Sequence, residues 1–357
     1  MEVLKGLILS GGAGTRLRPL THTSAKQLIP VANRPVLFYG IDAMVEAGIT
    51  EIGIVIAPET GDEIREAVGD GSAFGASVTW IVQDRPAGLA HAVLTARDFI
   101  GSSPFVTYLG DNLLKNGISG LVDSFREGES DAMVLLTPVP DPSSYGVAEV
   151  EEDRIVNLIE KPEDPPSDLA LVGVYMFTPS IFEMAEGLEP SARGELEITE
   201  AIQALIDRDM TVDYEIVEGW WKDTGMLDDI LEANRLVLEE VEAELSGTVE
   251  NSEVEGSVVL AEGAVIRDST VTGPAVIGAG SLIENSRIGP NTALGEVVVV
   301  RGSSIENSIV LAGSRIEEVA ATIEASLLGR NVRVGRRQGS SEAIHLMVGD
   351  NSAIEVT

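Results

Sequence analysis

The chain has 357 residues, 44% of them apolar, with 58 acidic against 24 basic side chains and a formal charge of −34. This length suits two domains, or one large domain with an appendage, and the apolar share excludes wholesale disorder. The acidity disfavours nonspecific nucleic-acid binding, and the absence of cysteine removes a disulfide framework, a thiolate zinc site and a thiol nucleophile. Residues 4–10 form an apolar run that meets Gly11-Gly12-Ala13-Gly14. Residues 35–47 suit a helix stopped by Gly48, 51–57 a second strand and 61–68 a short helix. A third strand follows at 77–83, a helix at 89–99 and a fourth strand at 105–109, ending in Gly110-Asp111-Asn112. Alternating strands and helices with near-continuous apolar strands predict a parallel α/β sheet covered on both faces. Ligands of such sheets bind beyond the carboxyl ends of the strands, which directs attention to the loops after strands one, three and four. Strands are expected at 132–137, 147–150, 155–159 and 169–177, and helices at 198–208 and 227–245.

After Gly247 the pattern changes. Aliphatic residues fall at Val249, Val254, Leu260, Ile266, Val271, Ile277, Ile283, Ile288 and Leu294, in steps of five or six residues that repeat every 17. Gly, Asn and Ser occupy the turns between them. Three such steps per turn predict a triangular parallel β-helix resembling the left-handed hexapeptide-repeat type, with one aliphatic residue per face pointing inward. The register runs on through Val300, Ile305 and Leu311 and then becomes irregular.

Only five lysines occur, at 5, 26, 115, 161 and 222. An acid-rich, lysine-poor surface is halophile-like and concerns solubility, so each retained lysine gains interest. The three histidines, His22, His91 and His345, are too scattered for a metal cage. No run of 18 apolar residues occurs, and the first residues lack a signal-peptide pattern, so a cytoplasmic protein is expected.

Glycines after a buried strand let backbone N–H groups approach phosphates, and Arg16 adds a charged donor. The loop lacks the Gly-Lys-Ser/Thr ending of a Walker loop, and Leu17 stands where a dinucleotide fingerprint needs its third glycine. Lys26 is placed to neutralise a second phosphate. Asp111, at the end of strand four, and Asp223, in Trp221-Lys222-Asp223, suit Mg²⁺, which takes one or two carboxylates plus substrate phosphates. Lys161, after an apolar strand in Glu160-Lys161-Pro162, suits a sugar-phosphate clamp. Side chains alternate along a strand, so Glu160 and Lys161 serve one site only if the chain bends there.

These motifs, in order with Gln83-Asp84-Arg85-Pro86-Ala87-Gly88-Leu89, Tyr145-Gly146-Val147, Gly194-Glu195-Leu196-Glu197-Ile198-Thr199 and Trp220-Trp221-Lys222-Asp223-Thr224-Gly225, cover about residues 1–240. The chain resembles the sugar-phosphate nucleotidylyltransferases, and within them the long thymidylyltransferase type with a C-terminal β-helix. The resemblance implies a Rossmann-like, mostly parallel sheet in a nucleotidyltransferase domain over 1–245, followed by a left-handed β-helix over 246–357. It implies dTTP and glucose 1-phosphate as substrates, Mg²⁺ at Asp111 and Asp223, and no nucleic-acid or membrane partner. Leu9, Gly11, Gly12, Gly14, Thr15, Arg16, Gln83, Pro86, Gly88 and Asp111 would hold the nucleotide. Gln83 would read both N3–H and O4 of the base. Tyr145, Gly146, Glu160, Lys161, Gly173 and Arg193 would hold the sugar phosphate, with Arg16, Lys26 and Lys161 at the reacting centre. The reaction needs no general base, because phosphate, with a second pKa of about 6, is already largely ionised at neutral pH. A UTP-dependent enzyme fits the same motifs. An acyltransferase β-helix is less favoured, since it commonly needs a histidine and only His345 is at hand. The β-helix is expected to serve assembly, as a homo-oligomer, or stability rather than the transfer.

Overall fold

The structure is a computed structural model that describes residues 3–335. Its contacts divide the chain into two units. The first comprises residues 1–13, 24–28 and 36–223; the second comprises 14–23, 29–35 and 224–357. This grouping differs from a single cut between residues 245 and 246.

The first unit is built on a nine-stranded mixed sheet. Its parallel part has Lys5–Ser10 between Phe105–Leu109 and Glu51–Ile56, with Ser77–Val82 beyond. Lys5–Ser10, Glu51–Ile56 and Phe105–Leu109 are buried on both faces, as their apolar runs require, whereas the edge strand Ser77–Val82 is partly exposed; the helices Val36–Glu46, Gly61–Val68 and Leu89–Thr95 follow three of these strands in the chain. The other part is largely antiparallel. Leu169–Phe177 pairs with Phe105–Leu109, Ala132–Pro138 and Gly146–Glu151, while Arg154–Glu160 lies on the outside. A strand unforeseen from sequence, Val212–Ile216, runs parallel to Ala132–Pro138. Two apolar clusters hold this unit, one around Ile8, Ile41, Ile54 and Tyr108, the other around Leu7, Phe105, Phe177 and Ile202. A separate two-stranded ribbon pairs Asn112–Leu114 with Trp221–Asp223 and matters for the site below.

In the second unit, the helix Leu227–Leu238 ends earlier than expected, and Glu244–Leu245 already begins the β-helix. Three parallel sheets of six, six and five short strands form its faces, as the left-handed hexapeptide repeat requires. The predicted residues stack as anticipated: Val249 on Ile266, Val254 on Val271, Leu260 on Ile277. The register continues where the sequence pattern fades. Val300 pairs with Ile316, one residue short of the 17-residue step, and Ile305 with Ile323, one residue long, so the ladder survives a change in coil length.

Polar side chains set the corners. Each serine hydroxyl of Ser252, Ser269 and Ser286 accepts from the backbone N–H of the serine one coil on, at 3.0–3.3 Å. This satisfies amides that a tight corner would leave unpaired. Asn251, Asp268 and Asn285 adopt φ of 46–48° at equivalent turns, a conformation that Asn and Asp tolerate well. Glu250, Arg267, Glu284, Arg301 and Glu317 form an alternating ion ladder with contacts of 2.7–3.3 Å. Arginine's fork reaches the carboxylate on either side, which a lysine point charge does less well. The pairs are half-exposed, so solvent screens each of them and the stabilisation is small.

Candidate active site

A cavity of about 230 Å³ opens at the carboxyl ends of the parallel strands in the first unit. Leu9, Gly11, Gly12, Lys26, Gln83, Pro86, Gly88 and Asp111 all line it, together with Gln27, Leu89, Ala92, Leu109 and Glu195. Larger cavities, each of about 430 Å³, lie elsewhere on the same unit and contain none of these residues. Gly11 and Gly12 admit their neighbours by lacking a side chain. A β-carbon at Gly11 would stand 2.9 Å from Gln83 Oε1, and one at Gly12 would stand 3.1 Å from Lys26 Cε.

Lys26 Nζ donates to Asp111 Oδ2. Burial pushes the Asp111 carboxyl up, but the Lys26 ammonium, its hydrogen bond and the amide of Asn112 outweigh burial and hold it below the usual carboxylate range. Asn112 is a positioning residue that sequence reasoning passed over. Its Nδ2 donates to Asp111 Oδ1 at 3.1 Å, and its Oδ1 accepts from Trp221 Nε1 at 2.6 Å. The ribbon sets Asp223 opposite Asn112, so both predicted metal-binding carboxylates flank one buried asparagine. Among the described residues no cluster of three or more acidic or imidazole side chains could hold a metal by itself. Two carboxylates supplemented by substrate phosphates fit a hard divalent cation.

Gly88 has φ of 100°, and a β-carbon there would stand 2.3 Å from the Leu196 carbonyl oxygen. Leu196 N donates to Ala87 O at 2.8 Å and Ala90 N to Leu196 O at 3.0 Å, so two sequence motifs are stitched together at this glycine. Gly88→Ala is expected to cost more than ~1 kcal/mol, because it combines strained φ with a backbone clash. A thermal unfolding scan measures the loss.

The sugar-side residues converge on Glu160. Gly146 pairs with it across the hairpin, Thr199 Oγ1 donates to its Oε2 at 2.5 Å, and Arg193 Nη2 and Lys161 Nζ lie 3.4 and 3.7 Å from its Oε1. Lys161 adopts φ of 44° and its N–H donates to Tyr145 O at 2.9 Å. The bend that Glu160 and Lys161 need is therefore at Lys161 itself. Arg193 is also held by Glu195 at 3.0 Å and the buried Glu197 at 2.8 Å. Burial works against its charge, but these carboxylates raise its pKa further, and the guanidinium stays charged. Glu197 and Thr199 were not singled out from sequence; both are buried polar groups that acquire a role only through this cluster. Tyr145 packs edge-on against Trp221, with centroids 5.5 Å apart. Gly173 leaves room for Leu109 and the Asn112 side chain, each within 3 Å of where a β-carbon would stand.

Gly14, Thr15 and Arg16 continue the glycine loop but group with the second unit. Gly14 is left-handed, and Thr21 Oγ1 donates to its carbonyl at 2.7 Å. Further along this loop, Leu20 Cδ2 lies 3.0 Å from the place a β-carbon would take at Gly329. Ala32 N donates to Asn234 Oδ1 at 2.9 Å and Asn33 Nδ2 to Leu294 O at 2.6 Å. Within the second unit the β-helix thus packs against the segments 14–23 and 29–35. Truncation after Gly247 removes Leu294 and Gly329, and is expected to lower thermal stability while a folded chain keeps the transfer. Pyrophosphate release by a truncated chain shown to be folded by circular dichroism checks this. His345 lies outside the described residues.

The chain is similar to known proteins. The nucleotidyl transferase family matches residues 5–240. The glucose-1-phosphate thymidylyltransferase of Streptomyces antibioticus is 52% identical over 356 residues, 99% of each chain. A low-salt glycan biosynthesis nucleotidyltransferase of Haloferax volcanii is 52% identical over 263 residues, 73% of this chain and 74% of its own. The crystal structure of a UDP-glucose pyrophosphorylase complexed with UDP-glucose superposes with a TM-score of 0.61 at 26% identity, covering 67% of this chain and 99% of that one. By sequence over most of its length, the chain belongs to the nucleotidyl transferase family.

Proposed function

We propose that this protein transfers the thymidylyl group of dTTP to glucose 1-phosphate, giving dTDP-glucose and pyrophosphate. The observation that carries the reading is the single cavity lined by the glycine loop, the Lys26–Asp111 pair and Gln83, in a chain 52% identical over its whole length to a glucose-1-phosphate thymidylyltransferase. The backbone amides at Gly11 and Gly12 would cradle the triphosphate, with Thr15 and Arg16 adding donors along the same loop. A phosphate oxygen of the sugar phosphate attacks the α-phosphorus in line and pyrophosphate departs. Lys26 offsets charge at the reacting phosphate, and Lys161 and Arg193 hold the sugar's phosphate while Glu160 accepts from sugar hydroxyls. The work of the site is therefore positioning and charge neutralisation.

Asp111 and Asp223 would hold Mg²⁺, whose charge, when bound, offsets that of the triphosphate and of the departing pyrophosphate. Asn112 Nδ2 donates to Asp111 Oδ1, which supports a fixed position for that carboxylate. The assembly is read as a homo-oligomer formed through β-helix faces, and the compartment as the cytoplasm; no described helix is long and apolar enough to cross a membrane. A UTP-dependent reading is favoured by one observation, the fold shared with a UDP-glucose pyrophosphorylase. A pyrophosphate-release assay across dTTP, UTP, dCTP and ATP against several sugar 1-phosphates decides. Highest kcat/KM for dTTP with glucose 1-phosphate is expected; a preference for UTP, or for another sugar, overturns the assignment.

A further inference from the structure

Gln83 lines the cavity and is almost fully buried, and both of its observed hydrogen bonds use the amide nitrogen. Nε2 lies 3.3 Å from the Gly88 carbonyl oxygen and 3.0 Å from His91 Nδ1. A carbonyl oxygen only accepts, so the nitrogen, not the oxygen, of the amide must face Gly88. The amide then has two hydrogens and two takers, and His91 Nδ1 must be the unprotonated, accepting nitrogen. The imidazole proton belongs on Nε2, the side that faces Asp84 Oδ1 at 3.8 Å. What Gln83 has left for a ligand is Oε1, which sits over the α-carbon of Gly11. The donor expected to reach O4 of a pyrimidine is thus already taken by the protein, and the side chain offers an acceptor alone.

We propose that His91 is a positioning residue that sets base specificity. It does not line the cavity; it acts from behind, holding the Gln83 amide so that only an acceptor faces the base. Thymine and uracil present N3–H to that acceptor. Cytosine presents a lone pair at N3, and two acceptors then face each other with no hydrogen between them. The selection is therefore made by rejection as well as by binding, and a site built around a hydrogen bond rejects the analogue that lacks it strongly. This rests on the proposed nucleotide reading of the same cavity.

Three measurements test it. The wild type should bind dTTP and dUTP in preference to dCTP in equilibrium titrations without sugar. His91→Leu, which removes the acceptor, should lower the dTTP-to-dCTP ratio of kcat/KM by about 10-fold or more, mainly through KM. His91→Asn, which puts an amide oxygen near the position of Nδ1, should restore most of that ratio. In the wild type, the nitrogen spectrum of histidine-labelled protein should show His91 unprotonated at Nδ1. Protonated Nδ1 overturns the proposal without any variant. So does an unchanged ratio in a folded His91→Leu protein, or an equal loss for both nucleotides, which marks a structural role. A wild type that prefers dCTP overturns the positioning role and the nucleotide reading together. A wild type that selects dTTP but forms no dTDP-glucose overturns only the proposed sugar transfer.

Discussion

Asp111→Asn and Asp223→Asn are each expected to lower kcat by more than about 10²-fold while the fold survives, the scale for losing an electrostatic group at a reacting centre. The two carboxylates arrive by different routes. Asp111 ends a parallel strand beside the glycine loop, and Asp223 comes from the ribbon strand opposite Asn112. Asparagine keeps the shape and removes the charge, so packing is little disturbed. The two variants differ in one respect. Asp111→Asn also removes a negative charge beside Lys26, so it should raise KM for dTTP as well, whereas Asp223→Asn should act more purely through the metal. Turnover as a function of Mg²⁺ concentration separates these effects. Near wild-type kcat at saturating Mg²⁺ in both variants removes the carboxylates from the metal site.

Lys161→Ala is expected to weaken glucose 1-phosphate by roughly 10–150-fold, the equivalent of the ~1.5–3 kcal/mol of a hydrogen bond to a charged group, and to leave dTTP almost unchanged. Its ammonium is partly exposed and 3.7 Å from Glu160, near enough to be held and open enough to meet a phosphate. The backbone at Lys161 is left-handed, and alanine bears that conformation no worse than lysine does, so the substitution tests the charge and not the turn. Arg193 reaches the same Glu160 and is itself clamped by Glu195 and Glu197, so it can sustain partial binding when Lys161 is gone. Separate titrations of each substrate on wild type and variant check the split. Equal weakening of both substrates moves Lys161 to the nucleotide side, and no weakening returns it to the surface.

The sequence by itself determined what is periodic or contiguous. A 17-residue spacing of aliphatic residues specifies a β-helix because each coil repeats the demands of the one before it, and the stacked pairs obey that spacing through Leu294. Near-continuous apolar strands with intervening helices specified the parallel half of the sheet. The glycine loop, Lys26 and Asp111 were legible because phosphate chemistry needs those residue types after strand ends, Gln83 only through the family resemblance, and the fold brings Gly11, Gly12, Lys26, Gln83 and Asp111 to one cavity. Only the tertiary structure decided the contacts that leave no periodic trace. The ribbon strand of three residues that sets Asp223 opposite Asn112 is too short to carry an alternation pattern. Glu197 and Thr199 look like ordinary helix-start residues until Arg193 and Glu160 fold against them. The bend that Lys161 requires could be named from sequence, but its place, a positive φ at Lys161 itself, could not. His91 reads as one polar position on an apolar helix, and its meaning depends on a turn that returns the chain to Gln83. The grouping of residues 14–23 and 29–35 with the β-helix joins segments some 200 to 300 residues apart. Such pairings are set by the three-dimensional packing of distant segments, whose energy depends on shape and partner and not on local spacing.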